Sequence, residues 1–163
     1  MIEIDGLTDG QATTALLASE FWNREQGLLV YNIDTFVESG YMNSSQLKGD
    51  GFIPCFQGEG DHWSFVKTGS SFKVLEVKEK VRISQYCTLG AYYLKSCGLY
   101  EELYESYYNE PRQGSGGERY IAPLYDYLLK RGGEIFISDV PEEHVYVLGT
   151  PQELEVFINQ YII

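Results

Sequence analysis

Apolar residues fall along this chain in short runs and in stripes at two spacings. Leu28-Leu29-Val30-Tyr31, bounded by Gly27 and Asn32, is a continuous run. It predicts a short strand buried on both faces, as in a parallel sheet. Before it, Ala12, Ala15, Leu16, Ala18 and Trp22 recur at helical spacing, behind Thr8-Asp9-Gly10-Gln11, which has the spacing of a capping box with Thr8 as cap. Residues 36–47 read as helical or irregular, and Lys48-Gly49-Asp50-Gly51 as a turn. A β-rich block follows. Phe52 to Phe56 is a strand in which Pro54 predicts an edge or a bulge. Trp63, Phe65 and Lys67 alternate with Ser64 and Val66 in a second strand, Thr68-Gly69-Ser70-Ser71 is a hairpin turn, and Phe72 to Val81 returns.

Thr88 to Leu94 predicts another strand, with Gly90 inside it. Leu99, Leu103 and Tyr107 then lie on one helical stripe, flanked by Tyr100 and Tyr104. Residues 118–130 predict a helix with Ile121, Leu124, Tyr125 and Leu128 inward, closed by Gly132-Gly133. Ile135-Phe136-Ile137 and Val145 to Leu148 read as strands. Thr150-Pro151-Gln152-Glu153 opens a last helix with Thr150 as cap and Glu153 completing the box, and Leu154, Phe157, Ile158 and Tyr161 are expected inward.

The 163 residues suffice for one domain, 1–163, with a real core. Aromatic content of 15%, with fourteen tyrosines, describes a folded protein and not an acidic tail. The net charge of −12 argues against a nucleic-acid backbone or an anionic membrane as main partner. The three cysteines are odd in number and lack C-x-x-C spacing, which predicts reduced thiols and a cytoplasmic protein. No signal peptide is expected ahead of the folded pattern, and no apolar run reaches the length of a membrane span.

Several residues carry candidate chemistry. Asp34 stands just past the end of the first strand, at the kind of edge where open α/β sheets bind ligands. A carboxylate there can hold a hard divalent cation; the alternative is a cap of the following segment. Gly10 lets a backbone approach something closely, a ligand at the helix start or simply the helix's own surroundings. Glu79 and Lys80 are either charges that blunt a strand edge or a pair that reaches one ligand. Neighbours on a regular strand point to opposite faces, so the second reading needs a bulge or bend near Lys80. Gly90 marks close approach by a ligand or another backbone. The loop 109–117, ending in Gly114-Ser115-Gly116-Gly117, has neither the spacing nor the Lys of a phosphate-binding loop, and predicts flexibility or a lid.

Taken in order, Gly10-Gln11-Ala12-Thr13-Thr14, Asn32-Ile33-Asp34, Val77-Lys78-Glu79-Lys80, Gly90-Ala91-Tyr92-Tyr93, Glu118-Arg119-Tyr120-Ile121-Ala122-Pro123 and Leu148-Gly149-Thr150-Pro151 resemble the sugar-phosphate nucleotidyltransferase family. The resemblance runs over essentially the whole chain. It implies a Rossmann-like α/β nucleotide-binding fold with a mixed, mostly parallel sheet. It also implies transfer of a nucleotidyl group from a nucleoside triphosphate to a sugar 1-phosphate, releasing pyrophosphate with Mg²⁺ or Mn²⁺. Residue by residue, Gly10 and Gln11 match the segment contacting the base, and Asp34 the metal-binding aspartate. Glu79 matches a residue holding sugar hydroxyls and Lys80 a lysine pairing with phosphate. Gly90 and Glu118 match further sugar-contacting positions. Asp34 and Lys80 are thus the expected catalytic residues.

Two departures accompany the resemblance. Nothing before Thr8 matches the family's first strand and glycine-rich triphosphate loop, so the expectation is an N-terminally truncated form of the fold. Its transfer reaction would be impaired or dependent on a partner, as a homo-oligomer or with a second chain completing the fold. At Leu148-Gly149-Thr150 no aspartate offers a second metal ligand. The alternatives are a non-catalytic sugar-phosphate or nucleotide-sugar binding module, and a metal-dependent glycosyltransferase.

Overall fold

The computed structural model describes residues 2–109 and 117–161. Within them run α1 (Gln11–Leu16), β1 (Leu28–Tyr31), β2 (Thr35–Val37), β3 (Gly51–Gln57), β4 (Ser64–Thr68), β5 (Val74–Glu79), β6 (Tyr86–Thr88), β7 (Ala91–Leu94), α2 (Cys97–Tyr108), α3 (Ala122–Lys130), β8 (Ile135–Asp139), β9 (Val145–Val147) and α4 (Pro151–Tyr161). The loop predicted over 109–117 falls mostly outside the described residues. No helix among them is long and apolar enough to cross a membrane.

β3 is the spine of a seven-stranded sheet. β8 lies along one edge of it in parallel register, Gly51 opposite Ile135 through Cys55 opposite Asp139. On its other edge β7 pairs with Gly51 and Phe52, and β6 with Cys55 to Gln57. The single strand expected over Thr88–Leu94 is therefore broken at Leu89-Gly90, and the sheet forks there. One arm continues from β7 to β1, the other from β6 to β4 and β5.

Pro54 explains how an interior strand tolerates the break. Its carbonyl accepts from Leu89 N at 3.2 Å. In a strand the nitrogen of a residue faces the same edge as its carbonyl, so the missing N–H of Pro54 falls at the fork and costs no bond to β8. The expectation of an edge strand or bulge at Pro54 is corrected accordingly.

The mixed α/β sheet is as expected, but its balance is not. Among the described strands only β3–β8 is parallel; the remaining pairs are antiparallel. β4 and β5 are joined by the turn at 69–73, too short for a parallel crossover. β1 pairs antiparallel with β7 and carries no second partner among the described strands. Its burial alternates, Leu29 and Tyr31 being exposed, so the apolar run is an edge strand and not one buried on both faces.

The core lies between the sheet and α2 and α3. Tyr100, Leu103, Ile121, Leu124 and Tyr125 are almost wholly buried there. Tyrosine serves this core because the hydroxyls find partners: Tyr100 donates to Ala12 O at 2.8 Å and Tyr125 to Tyr93 O at 2.7 Å. The α2 stripe is rotated from the expected one, with Tyr100 and Tyr104 inside and Leu99 and Tyr107 partly covered. α3 begins at Ala122, not at Glu118, because residues 118–120 are extended alongside residues 9–12. Arg119 N donates to Asp9 O at 2.7 Å and Ala12 N to Arg119 O at 2.9 Å.

A second sheet of β2 and β9 carries α4. The Thr150 box forms as expected: Thr150 N donates to Glu153 Oε2 at 2.8 Å and Glu153 N to Thr150 Oγ1 at 3.2 Å. The expected inward face does not. No described residue of α4 is buried; Phe157 and Tyr161 pack on Phe36 and Tyr146, while Leu154 and Ile158 stay exposed. The first capping box is also corrected. Thr8 Oγ1 donates to Gly10 O at 3.1 Å and meets Thr14 Oγ1, Gly10 itself precedes the helix, and α1 ends at Leu16. Residues 36–47 hold the last two residues of β2 and a single 3₁₀ turn at Ser44–Gln46.

Candidate functional site

The fork of the sheet opens a cleft of about 930 Å³. Its walls come from β1, β7 and α1 on one side and from β4, β5 and β6 on the other, with residues 118–120 and 147–153 closing its ends. Five of the seven expected site residues line it: Gln11, Asp34, Glu79, Gly90 and Glu118. Gly10 and Lys80 do not.

Gly90 is what allows the fork to close over Asn32. Its φ is +74°, and a Cβ there would stand 2.7 Å from the Asn32 side-chain nitrogen. Asn32 N donates to Gly90 O at 2.9 Å, and Asn32 Oδ1 accepts from Gln11 Nε2. The close approach predicted at Gly90 is thus by Asn32. At Gly10, φ +142°, the approaching group is the backbone of Arg119, 2.5 Å from where a Cβ would be.

Asp34 sits on the turn between β1 and β2. Tyr31 OH donates to Thr35 O at 2.5 Å and Leu148 N to Asp34 O at 2.7 Å, so the turn is tied at both ends. Gly149 separates Asp34 from Glu153: the position of a Cβ on it would be 3.8 Å from Asp34 Oδ2 and from Glu153 Oε2. No group of three or more His, Cys, Asp or Glu able to hold a metal ion occurs among the described residues. Asp34, whose carboxylate makes no hydrogen bond among the described residues, suits a cation that takes one carboxylate and completes its shell with water and phosphate oxygens, as Mg²⁺ does; Glu153 Oε2 across Gly149 is engaged by Thr150.

Glu79 ends β5, and Lys80 after it adopts φ +53°. This is the bend that the Glu79-Lys80 pair needs. The two side chains nevertheless part. Burial pushes the Glu79 carboxyl above the ordinary glutamate range, with Ser64, then Lys80, opposing and Glu118 adding to it. Lys80 lies at the rim, 4.4 Å over the Tyr120 ring, and donates to the Tyr120 hydroxyl, which donates to Glu118. That hydrogen bond to Tyr120 is the chief cause of a raised Lys80 pKa.

No part in the site was expected for Ser64, Tyr120, Glu153 or the His62-Trp63 pair, all of which line the cleft. Trp63 Nε1 donates to Glu59 O at 2.8 Å and its ring stands edge-on to Phe56. Arg82 holds this loop by its Nε to Asp61 at 3.1 Å, by its Nη2 to Gly58 O at 3.1 Å, and by lying 4.5 Å over Phe65. Trp63 was expected in the alternating strand, but it lies in the bend before β4, which begins at Ser64, and reaches the cleft from there.

The comparison with solved structures decides the family. The nucleoside-diphosphate-sugar pyrophosphorylase of Vibrio cholerae RC9 is 35% identical, superposes with a TM-score of 0.86, and is matched over 97% of this chain and 68% of its own. The chain belongs to the sugar-phosphate nucleotidyltransferase family. The same fold is found in the inositol-1-phosphate CTP transferase of T. maritima (9% identity, TM-score 0.70, 93% of this chain and 60% of the other) and in CTP:phosphocholine cytidylyltransferase of Streptococcus pneumoniae (12%, 0.65, 93% and 63%). The chain spans about three fifths of those two relatives. No family model matches the chain, and no curated protein does.

Within the family fold the cleft has one uneven property. Asp34, Glu79, Glu118 and Glu153 line it, and no Lys or Arg does among the described residues. Arg119, beside it, is engaged with Asp9 at 3.0 Å and with Tyr104 OH at 2.6 Å.

Proposed function

We propose that the cleft binds a nucleoside triphosphate and a sugar 1-phosphate and serves nucleotidyl transfer between them. A phosphate oxygen of the sugar 1-phosphate attacks the α-phosphorus, the bond to the bridging oxygen breaks, and pyrophosphate leaves. Such transfer needs in-line positioning and neutralised charge more than covalent help. Gln11, tethered to Asn32, stands at the base end with the segment that Gly10 begins. Glu79, Gly90 and Glu118 form the sugar end, and Lys80 reaches the sugar phosphate from the rim. Asp34 would hold Mg²⁺ or Mn²⁺, which when bound neutralises phosphate oxygens. The observation that carries the reading is the 35% identity to the pyrophosphorylase together with the convergence of five matched residues on one cleft.

A second reading is favoured by the cleft's charge. Four carboxylates and no cation among the described lining residues suit a sugar better than a triphosphate. A sugar-phosphate binding module, with the triphosphate's cations supplied by another chain, fits that pattern. The test is pyrophosphate release by the purified chain with Mg²⁺, four nucleoside triphosphates and a panel of hexose 1-phosphates, alongside calorimetric binding of each. Turnover with one pair supports transfer. Because the cleft neutralises so little charge, the expected rate for the chain alone is below about 1 s⁻¹, the low end of ordinary enzymes. Binding with no release selects the second reading, and no binding of any ligand overturns both.

A further inference from the structure

A chain of hydroxyls crosses the fork beneath the cleft and ends on Glu79. Ser64 sits opposite Glu79 in the β4–β5 ladder, and its Oγ donates to Glu79 Oε2. The same Oγ lies 3.4 Å from the Tyr92 hydroxyl on β7, and Tyr92 OH lies 3.0 Å from Thr88 Oγ1 on β6. Ser64, Tyr92 and Thr88 are each buried. Buried hydroxyls require partners, and three of them could satisfy one another without a carboxylate. Here the chain instead ties both arms of the forked sheet to one oxygen of Glu79. Among the described residues no hydrogen bond reaches the other oxygen, Oε1, and Glu79 lines the cleft.

We propose that Ser64 is a positioning residue, which with Tyr92 and Thr88 behind it fixes Glu79 Oε2 so that Oε1 is presented to a sugar hydroxyl. This rests on the reading of the cleft as a sugar-phosphate site. A carboxylate tethered through one oxygen keeps the other as a directed acceptor, and a directed charged acceptor discriminates among hydroxyl arrangements better than a free one. Ser64 has a second effect in the same direction. Its hydrogen bond favours the ionised form of Glu79 against burial, so the acceptor stays charged to lower pH. The other groups facing Glu79 are Lys80, which favours its charge, Glu118, which opposes it, and the tyrosines Tyr92 and Tyr108, neutral throughout the carboxylate range.

The experiment follows the Glu79 side-chain carboxyl by ¹³C NMR through a pH titration in the wild type, Ser64→Ala, Ser64→Thr and Tyr92→Phe. Calorimetry of the hexose 1-phosphate panel and thermal melting accompany it. In Ser64→Ala the Glu79 midpoint moves up, and the hexose 1-phosphate that the wild type binds weakens roughly 3–10-fold, the loss of one hydrogen bond. Its low-pH limit of binding shifts upward with Glu79, and affinity for inorganic phosphate stays unchanged. Ser64→Thr, which keeps the hydroxyl, restores both, and Tyr92→Phe gives a smaller shift of the same sign. An unmoved Glu79 midpoint with unchanged sugar-phosphate affinity in a folded Ser64→Ala protein overturns the inference and leaves the proposed function standing. A wild type that binds none of the panel overturns the proposed function and the sugar's part here, while a shifted Glu79 midpoint in Ser64→Ala still upholds the tether.

Discussion

Gly90 and Asn32 are in mutual contact across the fork of the sheet: a Cβ on residue 90 would stand 2.7 Å from the Asn32 amide nitrogen, and Gly90 holds φ +74° to make room. One residue thus sets both the break between β6 and β7 and the position of the side chain that tethers Gln11. Gly90→Ala is expected to cost about 1–2 kcal/mol for the left-handed backbone alone. Gly10→Ala should cost more, roughly 3 kcal/mol, because the obstacle is the Arg119 backbone and not a rotatable amide. Urea unfolding of the two variants, read as a fall in midpoint at constant slope, checks the order.

The metal assignment predicts a separation of binding from stability. Asp34 is exposed on a turn held by backbone bonds that do not involve its carboxylate. Asp34→Ala should therefore change stability by no more than about 0.5 kcal/mol. The same substitution should abolish any nucleotide binding that depends on Mg²⁺. Calorimetry with and without Mg²⁺ measures this, and binding that keeps its metal dependence in the variant would remove Asp34 from the cation.

Lys80 predicts a difference between two ligands. Its ammonium rests on Tyr120, which lines the cleft. Lys80→Ala should weaken a hexose 1-phosphate more than the free hexose, by roughly 1.5–3 kcal/mol for a lost charge-assisted bond. Equal weakening of both would leave Lys80 without a phosphate.

Glu79 predicts a trade between fold and function. Its folded pKa is raised above the unfolded value, chiefly by burial. Between those two values the native state binds the extra proton, so stability falls as pH rises through that window. At neutral pH the ionised carboxylate is a cost, and Glu79→Gln should raise the melting temperature there. Below the unfolded pKa the gain should vanish. Thermal melts at several pH values check the sign, and sugar-phosphate affinity should fall in the same variant.

Much of this arrangement was readable from local signals. The Thr150 box, the α3 core residues and the β3 and β8 strands depend on near neighbours, and they stand where the pattern put them. Tertiary pairing decided the rest. The apolar run at Leu28–Tyr31 fits a buried parallel strand as well as an edge strand, and only pairing with β7 separates the two. Thr8 has the spacing of a cap, but its hydroxyl bonds Gly10 O and Thr14 instead. In the cleft, Asp34, Glu79 and Gly90 were legible because each follows a strand, ends one or interrupts one. Ser64 was not, because an alternating strand gives no sign that a small polar residue will face a carboxylate across the ladder.

The account stands most directly on one calorimetric comparison: the wild type, Asp34→Ala and Glu79→Ala, each titrated with the hexose 1-phosphate panel and with nucleoside triphosphates plus Mg²⁺. The cleft as described predicts a crossed result. Glu79→Ala loses the sugar phosphate and keeps the Mg²⁺-dependent triphosphate, while Asp34→Ala loses the triphosphate and keeps the sugar phosphate. Absence of binding in the wild type, or retention of both ligands by both variants, would contradict it.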